Sequence, residues 1–118
     1  MPFSLIRRAR SFAHAFRGLK FLLATQPNAR IHAGATGLVL AAGWWWRVSA
    51  GDWCWLVAAL AAVWMAEAFN TALELLADEV SLEHRPRLGH AKDMAAAAVL
   101  VAAVGAAVVG VLVFRRYW

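Results

Sequence analysis

One cysteine, three prolines and seven acidic residues are all that this 118-residue chain holds of the types that staple, break or solvate a small fold. The lone Cys54 excludes an intrachain disulfide, and histidines at 14, 32, 84 and 90 lack the close pairing of a zinc motif. No GxxxxGK[ST] run or other glycine-rich nucleotide loop is present, which excludes a soluble-kinase fold. Neither an internal repeat nor a low-complexity linker divides the chain, so one domain, 1–118, is expected. Charged residues make up only 16% while apolar residues reach 63%, a balance that excludes an ordinary soluble domain of this size.

What remains is an all-α membrane protein. Each crossing needs roughly 20 apolar residues, so a chain of this length supplies about three. Three helices enclose little volume, and oligomerisation is expected. The apolar pattern places the crossings at about 29–46, 53–78 and 93–114, joined by an outer turn Ser49-Ala50-Gly51-Asp52 and an inner loop from Glu79 to Ala91 that contains Pro86 and Gly89. Trp44, Trp45, Trp46, Trp53 and Trp55 crowd the outer turn, as amphipathic indoles do in the headgroup zone. In the last crossing Ala98, Ala102, Ala106 and Gly110 recur every four residues and predict close helix packing.

Residues 3–23 have a different pattern. Leu5, Ala9, Phe12, Phe16, Leu19 and Leu23 fall on one arc of a helix and Arg7, Arg10, His14 and Arg17 on the other, which predicts an amphipathic helix lying on the membrane. Arg17 and Lys20 interrupt the apolar stretch that a cleaved signal peptide would need. Thr25-Gln26-Pro27-Asn28 then breaks the helix, with Pro27 suited to the first turn of the next. Nine of the 12 basic residues lie in this N-terminal segment or the inner loop, and three (Arg47, Arg115 and Arg116) on the other side. The positive-inside rule therefore puts the N-terminus and the 79–92 loop in the cytoplasm. A basic surface helix at an anionic leaflet accounts for the net charge of +5 without nucleic acid.

Glu67, Asn70, Glu74 and Asp78 stand at i, i+3, i+7 and i+11, aligned on one face of a segment that opens as an apolar run from Trp53 to Phe69. Carboxylates in a bilayer are costly and mark functional sites. Counting from Trp53, Glu67 lies roughly 21 Å along the helix, in the cytoplasmic half of a core about 30 Å thick. Asp78 emerges at the surface, where Lys92 arrives from the next helix. One carboxylate to accept a hydroxyl proton, another to hold a cation on phosphate and a lysine to offset charge are the parts of a phosphoryl transfer. The spacing alone equally allows interhelical hydrogen bonds or a proton path. An ion-conducting oligomer, however, needs polar residues through the whole thickness, and Trp53 to Ala66 supplies none. A non-catalytic structural subunit stays open.

The segment Glu67-Ala-Phe-Asn70-Thr-Ala-Leu-Glu74-Leu-Leu-Ala-Asp78, then Glu83-His84-Arg85-Pro86 and Ala91-Lys92-Asp93-Met94-Ala95-Ala96, closely resembles the prokaryotic diacylglycerol kinase family, which includes undecaprenol kinases. Ser11 to Leu19 and Thr25 to His32 resemble its surface helix and the start of its first crossing. The resemblance implies a homotrimer in the bacterial inner membrane, with sites between subunits, that uses Mg2+ and ATP to phosphorylate a lipid hydroxyl: diacylglycerol first, undecaprenol second. By position it implies Glu67 as catalytic base and Glu74 with Gln26 as metal ligands. It implies ATP contacts from His14, Gln26, Glu74, Glu83, His84, Arg85, Lys92 and Asp93. Lipid contacts would come from Arg7, Asn28, Glu67, Asn70 and Ala96, with Asp78 supporting the motif. Two positions depart from the pattern. Gln26 stands where several members carry a metal-binding Glu, so a neutral oxygen replaces a carboxylate. Ala96 stands where some diacylglycerol kinases have Ser, and the His-Arg-Pro loop is closer to the His-x-Pro of undecaprenol-kinase-like members.

Overall fold

The computed structural model describes residues 2–118 and places four helices among them: α1 Leu5–Thr25, α2 Pro27–Trp45, α3 Ala50–Val80 and α4 Pro86–Phe114. Local chemistry explains each boundary. Ser4 caps α1 by accepting a hydrogen bond from the Arg7 N–H. Gln26 precedes a proline, which forces it into an extended conformation (φ −109°, ψ 113°), and Pro27 opens α2 with its ring-fixed φ. Arg30 reaches back across this corner, its Nε to the Leu23 carbonyl at 3.0 Å and its Nη2 to the Ala24 carbonyl at 2.6 Å. Those are carbonyls that the last turn of α1 leaves without helical partners, so α1 and α2 are joined side chain to backbone.

The turn after α2 is a Schellman motif: the Arg47 N–H bonds to the Trp44 carbonyl and the Val48 N–H to the Gly43 carbonyl. Arg47 adopts φ +49°, the left-handed conformation usually given to glycine. Gly43 has its own reason to lack a side chain. A Cβ there would lie 2.5 Å from Cη2 of Trp53, so the indole packs directly on the α2 backbone. Ser49 then caps α3, accepting from the Asp52 N–H at 3.1 Å.

Each of the four helices differs from the sequence expectation at one end or both. The last helix begins at Pro86 and not near Lys92-Asp93, because Pro86 takes the first helical position after an extended Arg85. The inner loop thus shrinks to 81–85, and Gly89, His90 and Ala91 are helical. Ala50 to Asp52, expected in a turn, form the first turn of α3 under the Ser49 cap, and α3 extends to Val80. The first helix spans 5–25 where 3–23 was expected, and α2 spans 27–45 where 29–46 was expected. Of the described helices, α3 and α4 are long and apolar enough to cross a membrane. The expected third crossing, α2, is not in that pair, because Asn28, Arg30 and His32 dilute the apolar content of its 19 residues.

α3 and α4 pack as an antiparallel hairpin, α2 leans on α3, and α1 touches both. The more buried side of α4 runs Ala95, Val99, Ala102, Ala106, Val109 and Val113, steps of four and three that keep one seam toward a neighbour. The expected stripe at 98, 102, 106 and 110 only partly coincides. Each step of four rotates about 40° past a full turn, so Ala98 has drifted to the exposed side while Ala106 and Gly110 face inward.

The apolar core, Val48, Leu56 and Val113 with Trp46, Trp53 and Phe114 against it, sits at the tryptophan-rich end. There Asp52, only 4% exposed, accepts from Tyr117 Oη at 2.6 Å and from the Arg116 guanidinium, tying the start of α3 to the turn after α4. The remaining surface is strongly apolar: Phe12, Phe16, Leu38, Phe69, Leu100 and Val101 are all exposed. Apolar exposure on this scale suits a lipid-facing protein and not one surrounded by water. Replacing Arg47 by Gly should raise stability by about 1 kcal/mol, since the left-handed backbone costs a side-chain-bearing residue that much. Unfolding titrations in detergent read this directly, and a less stable Arg47→Gly protein would show that the arginine side chain outweighs the backbone term.

Candidate functional site

Burial grades along α3. Glu67 is 1% exposed and Asn70 8%, Glu74 is half-buried, and the Asp78 side chain is 49% exposed. Eleven residues of helix separate Glu67 from Asp78, about 16 Å. The four side chains expected on one face therefore form a path from an apolar interior to an open helix end. Asn70 Nδ2 donates to Glu74 Oε1 at 3.4 Å, and Lys92 Nζ donates to Asp78 Oδ1 at 2.5 Å from the second turn of α4.

The buried end of this path is polar and unsatisfied. Glu67 Oε2, Asn70 Oδ1, Thr71 Oγ1 and His32 Nε2 are buried without hydrogen-bond partners. A buried polar atom without a partner costs about 1–3 kcal/mol, so four together on adjoining turns of α3 and α2 describe a site that expects another polar group. His32 Nε2 lies 3.4 Å from Glu67 Oε2. Its ring meets Trp64 edge-on, and Trp64 Nε1 donates to Thr36 Oγ1, which in turn donates to the His32 carbonyl.

Two apolar spaces flank the polar column. A cavity of about 440 Å3 lies between α2 and α4 over α3, with His32 at one end, Phe114 and Trp118 at the other, and Leu60, Val63 and Ala106 between. On another side, Leu19 and Leu22 of α1 and Ala68, Thr71 and Leu75 of α3 line a groove of about 480 Å3. The polar groups that border these spaces include His32 in the first and Thr71 in the second, while the Asp78–Lys92 end of the column faces outward.

The chain brings only some of the expected site residues together. Glu67, Asn70, Glu74 and Asp78 share one face of α3, and Lys92 joins that face at Asp78. His14 and Arg7 lie on α1, where Arg17 holds the His14 ring at 2.7 Å. Gln26 is at the α1–α2 corner, donating to Thr25 Oγ1, and Asn28 is exposed two residues on. Glu83, His84 and Arg85 form the exposed loop, and Asp93 and Ala96 are exposed on α4. Among the described residues, His14, Gln26, Asn28, Glu83, His84, Arg85 and Asp93 make no hydrogen bond or ion pair to Glu67, Asn70 or Glu74. Nor do three or more His, Cys, Asp or Glu converge to hold a metal.

Sequence reasoning overlooked His32 and Asp52. Histidines were weighed for metal pairing, and His32 pairs instead with a carboxylate 35 positions away on another helix. The usable signal is a pair of polar or aromatic residues one turn apart on each helix, four residues from His32 to Thr36 and three from Trp64 to Glu67.

A family model for prokaryotic diacylglycerol kinase matches residues 13–114. The chain is 36% identical over 110 residues to the undecaprenol kinase of Bacillus subtilis, covering 93% of this chain and 89% of that protein. It is 37% identical over 101 residues to a diacylglycerol kinase of Synechocystis, covering 85% of this chain and 58% of that one. The Asp78–Lys92 pair, with side chains 49% and 38% exposed, should contribute little to stability. Lys92→Ala is expected to cost less than about 1 kcal/mol in a detergent unfolding titration, and a larger cost would make the lysine a structural residue.

Proposed function

The chain belongs to the prokaryotic diacylglycerol kinase family, a family of membrane lipid kinases, and from that premise we propose that it transfers the γ-phosphoryl of ATP to the hydroxyl of diacylglycerol, giving phosphatidic acid and ADP. The gradient along α3 carries this reading: a buried, unpartnered carboxylate beside apolar space at one end, and an exposed lysine at the other. A lipid can deliver its hydroxyl from the apolar side while a nucleotide approaches from the open end.

In the proposed reaction Glu67 takes the hydroxyl proton, the freed oxygen attacks the γ-phosphorus, and the bond to the oxygen bridging the β- and γ-phosphorus breaks to release ADP. Asn70 and Glu67 position the acceptor. Lys92 binds phosphate oxygens, exchanging Asp78 for a more highly charged partner. Because hydroxyl and phosphate are held in place, positioning and preset charges supply most of the acceleration.

The donors present fit Mg2+. Glu74 offers a half-buried carboxylate, a hard ligand. One carboxylate suits Mg2+, which keeps waters and substrate phosphates in its shell and does not need a protein cage. The metal, when bound, offsets charge on the phosphates. Gln26 would add a neutral oxygen from the α1–α2 corner.

A homotrimer with shared sites accounts for the expected residues that one chain leaves dispersed. His14 and Arg7 on α1 and Glu83, His84, Arg85 and Asp93 at the loop end would complete the nucleotide site of a neighbouring protomer, with Asn28 and Ala96 on the lipid side. In this arrangement α1 lies on the cytoplasmic face of the bacterial inner membrane, and α2 crosses with α3 and α4. Undecaprenol is the second reading for the acceptor. In its favour are the fuller coverage of the relative named for it and the His84-Arg85-Pro86 loop.

Purified protein in mixed micelles with labelled ATP, supplied with diacylglycerol or undecaprenol in parallel, should label diacylglycerol faster; the reverse order would reassign the acceptor, and no labelling of either would leave a non-catalytic subunit. Glu67→Gln is expected to fold with unchanged thermal stability while turnover falls by about a hundredfold or more. Near-normal turnover would remove the base assignment. Glu74→Gln should shift the Mg2+ dependence of the rate to higher concentration, and an unshifted dependence would exclude Glu74 as a ligand.

A further inference from the structure

We propose that His32 is a positioning residue for phosphoryl transfer: its imidazole Nε2 sets the orientation of the Glu67 carboxylate. The inference rests on the reading of Glu67 as the base and goes beyond it, because none of the expected site residues lies on α2 beyond Asn28.

Three observations on the two helices carry it. First, His32 and Glu67 are each other's close polar neighbours in a buried place, 3.4 Å apart with side chains 17% and 2% exposed, and neither facing atom has a hydrogen-bond partner. The tautomer with its proton on Nε2 directs an N–H at Oε2 from just beyond hydrogen-bond range. Contacts of this length in an unliganded catalytic site shorten when substrate binds. Secondly, the imidazole is held from behind. Trp64, one turn before Glu67 on α3, meets its ring edge-on at 6.5 Å between centroids, and the Trp64 indole N–H is itself fixed by Thr36, 2.9 Å away and one turn after His32 on α2. Thr36 closes the bracket by donating to the His32 carbonyl at 2.7 Å. The two helices therefore place the histidine against the carboxylate through contacts of their own. Thirdly, His32 forms one end of the apolar cavity between α2 and α4, so the imidazole that faces the carboxylate also borders the space where an apolar chain would lie.

A carboxylate with only one neighbour of this kind has a preferred rotamer: Oε2 turned to the imidazole leaves Oε1 for the acceptor hydroxyl. Without the imidazole, Glu67 would stay in place but lose its direction. The loss should appear in the chemical step and spare nucleotide binding, because His32 makes no contact with Asp78, Lys92 or the loop.

The test is a set of purified variants assayed in mixed micelles with ATP and the better lipid acceptor. His32→Leu should lower kcat about ten- to a hundredfold while KM for ATP stays within about twofold of the parent. His32→Gln, which can place an amide N–H near the same point, should recover kcat to within about threefold of the parent. His32→Phe keeps the ring volume and gives the same reading should the leucine protein not fold, with melting in detergent as the control. On a Glu67→Gln background, His32→Leu should produce no further loss, since a positioning residue has nothing left to position. Full kcat in the apolar variants, equal losses in the Leu and Gln variants, or an additive loss on the Glu67→Gln background would each overturn the proposal. The base assignment fails separately: if Glu67→Gln alone turns over normally, that reading falls and this one with it, whereas an inactive Glu67→Gln beside a fully active His32→Leu removes only His32.

Discussion

A carboxylate held at 1% exposure in an apolar helix is the constraint around which the chain is arranged. Removing Glu67 from water is costly without compensating hydrogen bonds, and among the described residues its Oε2 finds no hydrogen-bond partner. Asn70 and Thr71 repeat the pattern one turn on, each with a buried oxygen lacking a partner. Packing alone has no use for such groups, since apolar side chains of similar size would fill the same space without penalty. The proposed function gives them one: a ligand whose polar end enters from one direction and whose apolar body stays behind.

The corners of the fold keep those groups in register. Pro27 and Pro86 each open a helix and each force the preceding residue to be extended, which fixes where α2 and α4 begin relative to α3. Arg30 binds the end of α1 to the start of α2, so a helix that touches both α2 and α3 is held to the framework by more than its apolar face. With α2 anchored in this way, His32 falls opposite Glu67 and Thr36 opposite Trp64. Turn chemistry far from any substrate thus decides which side chains meet inside.

The carboxylate column was legible because helical periodicity is local: Glu67, Asn70, Glu74 and Asp78 share a face whatever packs on them. The resemblance of the same residues to a kinase family was legible for that reason too. Helix ends were read less well. Pro86 looked like a loop residue when it was the first of a helix, and Ser49 looked like part of a turn when it was a cap. The His32–Glu67 pair and the Asp52–Tyr117 tie join residues 35 and 65 positions apart, and no one-dimensional pattern announces such pairs. Asp52 looked like a loop charge at the membrane surface. It is buried, because the chain returns after α4 to cover it.

That return makes the α3–α4 hairpin unequal at its two ends. At the tryptophan-rich end, a buried aspartate bonded to a tyrosine and an arginine, with an apolar cluster beneath it, clamps the pair. At the loop end the helices are linked across their gap by one exposed lysine–aspartate contact. Spreading the hairpin is therefore cheapest near residues 78 to 92 and hardest near 52 and 117. Under the proposed reading, such a lever, pivoted at the tryptophan-rich end, would let the mouth of the site widen for a bulky anion without disturbing the greasy compartment below.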